Sequence, residues 1–303
     1  MENNTFPKVA VGVCTYNRSN DLKRLLDSLK NLNYPNFEII VVDNNSNDDT
    51  EKVAKSFSNV KYVREERQGL AYARNKLLDT CDESIEFLGI LDDDETVNPD
   101  WIEKMLECFN LNDKIVAVGG PYLPKFPKFP PEWMPEDFHS YNVDIKGCNF
   151  YENIGIAGGN GMVKMKNVRM RNVRFNTSLG YNGGVLLSGE DNEFYDKLVQ
   201  DGELRGFTEF APVMHHIPAN KMTFKWFFKR YFFEGITQYY RFGSKVYLKN
   251  LLQLPVRIIR FLITLLTFNK KIIAKRFFKV VSNLGVIIGP LKIHRNNIEV
   301  INE

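Results

Sequence analysis

Short apolar runs alternate with helix-like segments through the first 120 residues of the chain. Val9 to Cys14 is a continuous apolar run of strand length, and Phe37 to Val42 is a second run that is apolar except for Glu38. Such alternation is typical of βαβ units, which build a mostly parallel sheet. The sequence therefore predicts an α/β fold with helices flanking the sheet. Between the two runs, four leucines repeat at the spacing of one helix face: Leu22, Leu25, Leu26 and Leu29.

The same alternation predicts further elements up to about residue 120. We expect strands over Val60 to Val63, Glu86 to Leu91 and Ile115 to Val118, and helices over Asp48 to Ser58, over Leu70 to Leu78 and after Pro99. From Pro121 to Asp144 the chain is rich in proline and aromatic residues, which predicts a long surface loop. Beyond it we expect strands over Met162 to Met165 and Phe207 to Met214, and a helix that opens near Ser188.

The last part of the chain differs from the rest in charge. From Lys221 to Val280 it carries fourteen lysines and arginines against one acidic residue, Glu234, although the whole chain has a net charge of only +3. Val246 to Phe268 is mostly apolar but is interrupted by a proline and two arginines, so an interfacial amphipathic helix is favoured over a spanning one. The alternative is a helical hairpin that packs on the rest of the protein.

These patterns predict an α/β domain over residues 1–220 and a basic, amphipathic helical region over residues 221–303. The four cysteines are scattered without a CxxC pair, and Met1 to Lys8 is polar rather than signal-like. We therefore expect a reduced compartment and a cytoplasmic location. The cations of residues 221–280 suit peripheral attachment to the inner, anionic face of the cell membrane.

Clustered carboxylates follow the fourth predicted strand. Asp92, Asp93 and Asp94 stand where open α/β sheets bind ligands, beyond the carboxyl ends of the strands. Two carboxylates one residue apart, Asp92 and Asp94, suit a hard cation that is shared with a diphosphate. The pattern predicts a Mn²⁺ or Mg²⁺ site, and an acidic run that only solvates a turn is the alternative.

The chain lacks both common glycine-rich phosphate loops. Neither GxGxxG nor GxxxxGK[ST] occurs, which argues against a dinucleotide-binding Rossmann enzyme and a P-loop phosphotransferase. The predicted strand tips at Thr15 to Arg18 and at Asp43 open onto the same sheet edge and suit a nucleoside. Arg74 lies near the third strand–helix junction, where a guanidinium suits phosphate or base; a solvated helix arginine is the alternative.

Five short motifs occur in a fixed order between about residues 8 and 216. They are Val11 to Arg18, Ile39 to Ser46, Gln68 to Asn75, Leu91 to Glu95 and Gly189 to Asp191. In this order they resemble glycosyltransferase family 2, a group of inverting enzymes with the GT-A fold. The resemblance implies a Rossmann-like sheet with a donor half over about residues 1–120 and an acceptor half over about residues 121–220.

The resemblance also implies roles for single residues. Asp92 and Asp94 would bind the cation, and Asp191 would be the catalytic base. Spacing alone leaves Asp191 open as a simple helix N-terminal acid, and Glu190 is the rival base. Uridine diphosphate is the default nucleotide. The expected donor-binding residues are Thr15, Asn17, Arg18, Asp43, Arg74, Asp92 and Asp93.

Three more residues are candidates on weaker grounds. His215 follows a predicted strand and is a candidate third metal ligand, while a structural histidine is the alternative. Trp133 and Asn160 are candidate acceptor contacts, because aromatic faces stack on sugars and the glycines before Asn160 permit close approach.

The sequence thus predicts a hexosyltransferase that moves a sugar from a nucleoside-diphosphate sugar to a saccharide or lipid-linked saccharide, in surface polysaccharide synthesis. One alternative is a metal-dependent nucleotidyltransferase, which would need a basic, glycine-rich triphosphate loop that Thr15 to Ser19 does not resemble. Another is a noncatalytic protein that binds membranes or polyanions through its basic region. A nucleic-acid partner is not expected.

Overall fold

The computed structural model describes residues 6–135, 138, 146–152, 154–182, 185–200 and 202–293. The chain forms two compact units. The first comprises residues 1–125, 139–178 and 190–216, and the second comprises residues 126–138, 179–189 and 217–303. The predicted domains, 1–220 and 221–303, remain a prediction, because compactness alone does not define a domain that folds by itself.

The first unit is an α/β unit with six helices and eleven strands among its described residues. Its elements are β1 (Val9–Thr15), α1 (Ser19–Leu29), β2 (Phe37–Asp43), α2 (Thr50–Lys55), β3 (Val60–Arg64), α3 (Leu70–Thr80), β4 (Phe87–Asp92), β5 (Glu95–Val97), α4 (Trp101–Phe109), β6 (Ile115–Gly119), β7 (Tyr122–Lys125), β8 (Cys148–Tyr151), β9 (Asn160–Lys164), α5 (Met165–Met170), α6 (Glu190–Leu198), β12 (Leu204–Thr208) and β13 (Val213–His216).

Eight strands form the main sheet in the order β3-β2-β1-β4-β9-β6-β12-β8. All are parallel except β9, which lies antiparallel between β4 and β6, and β8, which is antiparallel to β12. The strand β1 is buried along its whole length, as a continuous apolar run predicts. Apolar side chains of α1 and α4 cover one face of the sheet, and those of α3 and α6 cover the other.

The predicted order of strands and helices up to residue 119 agrees with the structure, apart from the three-residue strand β5. The predicted strand from Phe207 to Met214 is wrong: Leu204–Thr208 and Val213–His216 are separate strands in separate sheets. Pro212, which lacks an N–H for a sheet hydrogen bond, lies in the turn between them. The predicted loop from Pro121 to Asp144 begins with strand β7, and its residues 136–137 and 139–144 lie outside the described part.

The second unit is mainly helical. It contains the short strands β10 (Tyr181–Asn182) and β11 (Val185–Leu186), a 3₁₀ turn (Ala219–Met222), and helices α7 (Phe224–Leu265) and α8 (Lys270–Ile293). The backbone of α7 leaves helical geometry at Gly243, where φ is +62°. None of the described helices has the length and apolar character that crossing a membrane requires.

Gly243 divides α7 into two limbs, residues 224–242 and 244–265, and α8 packs against both. Phe278 of α8 contacts Phe227 in the first limb, and Phe277 contacts Phe261 in the second. Higher-numbered residues of α8 contact higher-numbered residues of the first limb but lower-numbered residues of the second limb. Helix α8 is therefore parallel to the first limb and antiparallel to the second.

A disulfide joins Cys108 of α4 to Cys148 of β8. The two residues are 40 positions apart, a spacing that matches no short cysteine motif. The other two cysteines, Cys14 and Cys81, are free and buried. The scattered spacing that favoured four reduced cysteines did not predict this pair.

Close helix packing in the second unit gives a stability prediction. A Cβ atom on Gly235 of α7 would lie 2.0 Å from the carbonyl oxygen of Ser282 in α8. We expect Gly235→Ala to force the helices apart and to lower the free energy of unfolding by about 1–3 kcal/mol, measured by urea denaturation. Ser244→Ala, at an exposed position of the same helix, is the control and should change it little.

Candidate active site

The last residues of β1 and β2 and the loop after β1 include three of the predicted donor-binding residues. Thr15 donates a hydrogen bond of 2.8 Å from its Oγ1 to Asp93 Oδ2. Asn17 has a left-handed backbone, with φ of +50°, and its N–H donates to Ser46 Oγ at 2.9 Å. The carboxylate of Asp43 is fully buried and accepts the Ser46 N–H at 2.9 Å. The two loops are thus fixed to each other beside the end of β4.

Arg18 lies against the acidic run. Its Nη1 is 2.8 Å from Asp93 Oδ1 and 3.0 Å from Asp94 Oδ2. Burial raises the pKa of Asp93 to about 6; the neighbouring Asp94 raises it further, while Arg18 opposes the shift. One guanidinium therefore compensates two nearly buried carboxylates.

His215 is brought to the same carboxylates by the small sheet β5-β13-β7. In the antiparallel pairing of β13 with β5, His215 lies opposite Glu95, and the N–H of His216 donates to the Asp94 carbonyl at 2.8 Å. The Nε2 of His215 is 3.4 Å from Asp94 Oδ1. The candidate imidazole and the candidate carboxylate thus lie side by side.

Arg74 joins the end of β4 to the start of α6. Its side chain is only 3% exposed, with Nη1 2.9 Å from Glu190 Oε1 and Nη2 3.2 Å from Asp92 Oδ1. Nη2 also donates to the Gly158 carbonyl at 3.3 Å. Burial opposes the charge, but Asp92, Glu190 and Asp191 hold the pKa of Arg74 above its ordinary value. This arginine remains charged and binds three segments that are distant in sequence.

The turn before β9 passes between two carboxylates. The Gly158 N–H donates to Asp191 Oδ2 at 3.1 Å. A Cβ atom would lie 2.9 Å from that oxygen if placed on Gly158, and 2.5 Å from the Asp92 carboxylate if placed on Gly159. Only glycine lets the backbone lie this close to both acids.

Glu190 and Asp191 differ in their surroundings although they are adjacent. Glu190 is nearly buried and paired with Arg74; burial raises its pKa to about 7, Arg74 opposes the shift, and Asp191 adds to it. Asp191 is partly exposed, and its Oδ1 accepts the Asn192 N–H at 2.8 Å. Of the two, Asp191 has the carboxylate that a ligand can reach.

Two residues that were not predicted complete the network. Glu95 is buried, and its Oε2 accepts the Asp92 N–H at 3.0 Å; burial and the nearby Asp92 raise its pKa well above its usual range. The Tyr122 hydroxyl accepts the Gly159 N–H at 2.6 Å. The position of Glu95 directly after three aspartates was a usable signal, whereas nothing in the sequence pointed to Tyr122.

The candidate acceptor residue Asn160 is the first residue of β9. It is fully buried, and its Oδ1 accepts the Trp101 Nε1–H at 3.0 Å, while its Nδ2 donates to the carbonyls of Pro121 and Ala211. These bonds occupy the side chain, so this geometry gives its predicted contact with an acceptor no support.

Trp133, the other candidate acceptor residue, belongs to the second unit. Its ring lies 5.5 Å from that of Phe224 and 5.1 Å from that of Phe227, within an aromatic cluster that also includes Phe278. The ring therefore contributes to the packing of this unit, and this contact set gives no support to stacking on a sugar.

The carboxylates suit a cation only in combination with a ligand. No three His, Cys, Asp or Glu side chains of the described residues converge as a ready-made metal cage. Magnesium in phosphate-transfer sites, however, is often held by one or two carboxylates and completed by phosphate oxygens and water. Asp94, with His215 beside it, and the partly exposed Asp92 fit a Mg²⁺ or Mn²⁺ ion that is shared with a diphosphate.

Comparison with known families identifies the class of protein. The model of glycosyl transferase family 2 matches residues 10–169, more than half of the chain. The chain belongs to this family. The succinoglycan biosynthesis protein ExoM of Rhizobium meliloti is 31% identical over 250 residues, which cover 78% of this chain and 75% of that protein. The glucosyl-dolichyl phosphate glucuronosyltransferase of Haloferax volcanii is 25% identical over 76% of each chain.

A solved structure gives the same answer for the fold. Residues 1–349 of S. aureus TarS, crystallised with UDP-GlcNAc, match with a TM-score of 0.54 at 17% identity, over 76% of this chain and 65% of that one. The GT-A-type fold, the family and the assignment as a glycosyltransferase are therefore confirmed. The nucleotidyltransferase and the noncatalytic binding protein are set aside.

The burial of Arg74 predicts a large effect on stability. Arg74→Met would leave Glu190 buried without its cation, and we expect unfolding free energy to fall by about 3–5 kcal/mol in chemical denaturation. Adding Glu190→Gln should restore part of the loss, since the uncompensated charge is then gone. Arg174→Met, which breaks an exposed pair with Asp79, is the control and should cost about 1 kcal/mol at most. Equal losses in the two arginine variants would contradict the role given to Arg74.

Proposed function

We propose that this glycosyltransferase moves a hexose-type sugar from a nucleoside-diphosphate sugar to a hydroxyl of a saccharide or lipid-linked saccharide, with inversion at the anomeric carbon. The network around Arg74 is the observation that supports it. Arg74 joins Asp92, at the end of β4, to the first turn of α6, where Asp191 accepts the Gly158 N–H. Sites for a departing diphosphate and for an attacking hydroxyl would then be adjacent.

The donor proposal rests on the strand tips and on the relatives. The TarS structure contains UDP-GlcNAc, and the Haloferax volcanii relative is named a glucuronosyltransferase, so we take a UDP-sugar as the default donor. Thr15, Asn17 and Asp43 would position the nucleoside, with Asp93 at the ribose or sugar. The name of the ExoM relative supports a role in surface polysaccharide synthesis.

Inversion requires a base on the acceptor side. The acceptor oxygen attacks the anomeric carbon, the bond from that carbon to the diphosphate oxygen breaks, and the hydroxyl proton passes to a carboxylate. We assign this carboxylate to Asp191, because it is partly exposed and fixed by the Gly158 N–H and by Asn192. Glu190 would instead position Arg74, which holds its carboxylate at 2.9 Å.

Exchanging each acid for its amide separates these two roles. We expect Asp191→Asn to lower kcat by roughly 10²–10⁴-fold while the donor still binds, because only the proton acceptor is lost. Calorimetry with UDP and a transfer assay provide the two measurements. Glu190→Gln should retain more activity, since its amide oxygen can still accept from Arg74.

The pH profile provides a check on this assignment. A base role for Glu190 would make kcat/KM rise with pH through about 7, as its carboxyl loses its proton, and Glu190→Gln would abolish that rise. Such a profile would contradict the assignment of Asp191. Proton NMR of the product tests inversion itself, and a retained anomeric configuration would exclude it.

A divalent cation, Mn²⁺ or Mg²⁺, would neutralise the charge that develops on the leaving diphosphate. We propose Asp92, Asp94 and His215 as the residues that hold it. Arg18 is 3.0 Å from Asp94 Oδ2, so its positive charge would oppose a cation bound at the same carboxylate. Arg18, an expected donor-binding residue, would contact the diphosphate.

Two substitutions test the cation site in opposite directions. Asp94→Ala should abolish Mn²⁺ binding in the presence of UDP, measured by electron paramagnetic resonance, and should abolish transfer. Arg18→Ala should tighten Mn²⁺ binding in the absence of nucleotide, because a competing cation is removed. Asp113→Ala, at an exposed turn, is the control. Unchanged Mn²⁺ binding by Asp94→Ala would rule out this carboxylate as a ligand.

We also propose that residues 221–280 attach the enzyme peripherally to the inner face of the cell membrane. Fourteen lysines and arginines against one glutamate in this region support an anionic surface as the partner. A lipid-linked acceptor would be presented at such a surface.

A further inference from the structure

The second limb of α7 exposes its apolar side chains. Among its outward residues and those of the turn that follows, Leu252 is 70% exposed, Leu266 77% and Phe268 87%. Monomeric proteins in water rarely leave contiguous apolar surface of this kind uncovered. The outward face is represented by Leu248, Leu252, Ile259, Ile263, Leu266 and Phe268.

The opposite side of this limb, which faces α8, carries buried polar groups beside Phe261, whose ring contacts Phe277. Asn283 of α8 is fully buried and donates at 2.8 Å to the carbonyl of Asn250. Arg257 hydrogen-bonds the side-chain oxygen of Asn283 and, at 2.7 Å, that of Gln253. The amides and the guanidinium of the seam are thus hydrogen-bonded to one another, away from the apolar face.

This distribution reverses the order of a helix in water, where apolar residues face the partner helix and polar residues face the solvent. Polar groups that bond one another across a helix seam, with aliphatic side chains outside, are typical of helices in an apolar medium. The first limb of α7 has the ordinary order, since Phe227, Phe233 and Ile236 are buried. The reversal is therefore confined to the limb after Gly243.

The charges near the apolar face indicate which partner covers it. No aspartate or glutamate occurs from Gly235 to Ile293, whereas Lys245, Lys249 and Lys271 are exposed close to the apolar residues in sequence. Lys270 is exposed there too and pairs with Glu132 at 2.7 Å, so a headgroup at this position would share that lysine with Glu132. A second copy of the chain would bring these cations against their equivalents, which costs free energy. Anionic phospholipid headgroups would meet them with opposite charge, and acyl chains would cover the leucines.

Resting on the membrane attachment proposed above, we infer that the outward face from Leu248 to Phe268 inserts into an anionic phospholipid bilayer at the boundary between headgroups and acyl chains. Lys270 and Lys271, which follow the exposed Phe268 after Asn269, would then lie at headgroup level. Attachment is then hydrophobic as well as electrostatic, and part of it withstands high salt.

An environment-sensitive dye locates the face directly. Leu266→Cys creates a reactive thiol, because Cys14 and Cys81 are buried and the other two cysteines form the disulfide. A nitrobenzoxadiazole label at this position should shift its emission to the blue when vesicles of phosphatidylcholine and phosphatidylglycerol, about 7:3, are added. The same label at Leu111→Cys, which is exposed on the first unit, should not shift.

Vesicle flotation of unlabelled variants measures the contribution of the face. We expect Leu252→Gln/Ile259→Gln/Leu266→Gln to weaken binding at least about tenfold, since three apolar side chains no longer enter the bilayer. The matched control Leu111→Gln/Met170→Gln changes exposed apolar residues of the first unit and should bind like the wild type. Lys270→Gln/Lys271→Gln should weaken binding mainly at low salt.

Two results would overturn the inference. One is an unshifted Leu266 label together with unchanged flotation of the triple variant. The other is a lipid-free dimer, seen by analytical ultracentrifugation, that the triple variant abolishes; this would assign the face to a second copy.

The activity assay keeps this inference separate from the proposed reaction. Hydrolysis of UDP-sugars in the absence of lipid should be the same in the triple variant and the wild type. Failure of every version of the protein to use any nucleotide sugar would contradict the proposed reaction, while the blue shift would stand.

Discussion

Nearly buried negative charge at the end of β4 is the constraint to which the rest of the first unit is fitted. Asp93, Asp94 and Glu190 are each only about 4–5% exposed, and a buried carboxylate without a partner is strongly destabilising. Arg18 approaches this cluster from the loop after β1, and Arg74 from α3. Each arginine links strand ends or loops that would otherwise repel or drift apart, so the electrostatic compensation also determines the geometry of the site.

The backbone around these carboxylates also provides partners for their negative charge. Gly158 and Gly159 allow a turn to lie against two carboxylates, and its N–H groups donate to Asp191 and to Tyr122. The small sheet adds β13, whose pairing with β5 brings His215 to the opposite side of Asp94. Such close approach leaves few positions free to vary in size.

The main sheet, and the meeting of most candidate residues at its edge, could be predicted from the sequence, because both depend on local patterns. Apolar runs marked the strands, and the parallel connections placed Thr15, Asp43 and Asp92 at one edge. Contacts between distant segments were not predictable in this way: the three-residue strand β5 has no periodicity to detect, and the pairing of Arg74 with Glu190 spans 116 positions. The hydrogen bond from Trp101 to the Asn160 amide joins positions 59 apart and likewise has no local signal.

Hydropathy also missed the feature that distinguishes the second unit. Apolar content predicted an amphipathic helix over 246–268. The side of this helix that faces α8 is determined by the change of chain direction at Gly243 and by the position of α8, and neither is visible in hydropathy. Arg257 and Asn283 lie in the seam between the second limb and α8, and leucines of that limb lie on the outside. In water, this arrangement would give up the free energy of burying those leucines. A medium that covers them removes this cost, so the polar seam and the apolar face have one common explanation.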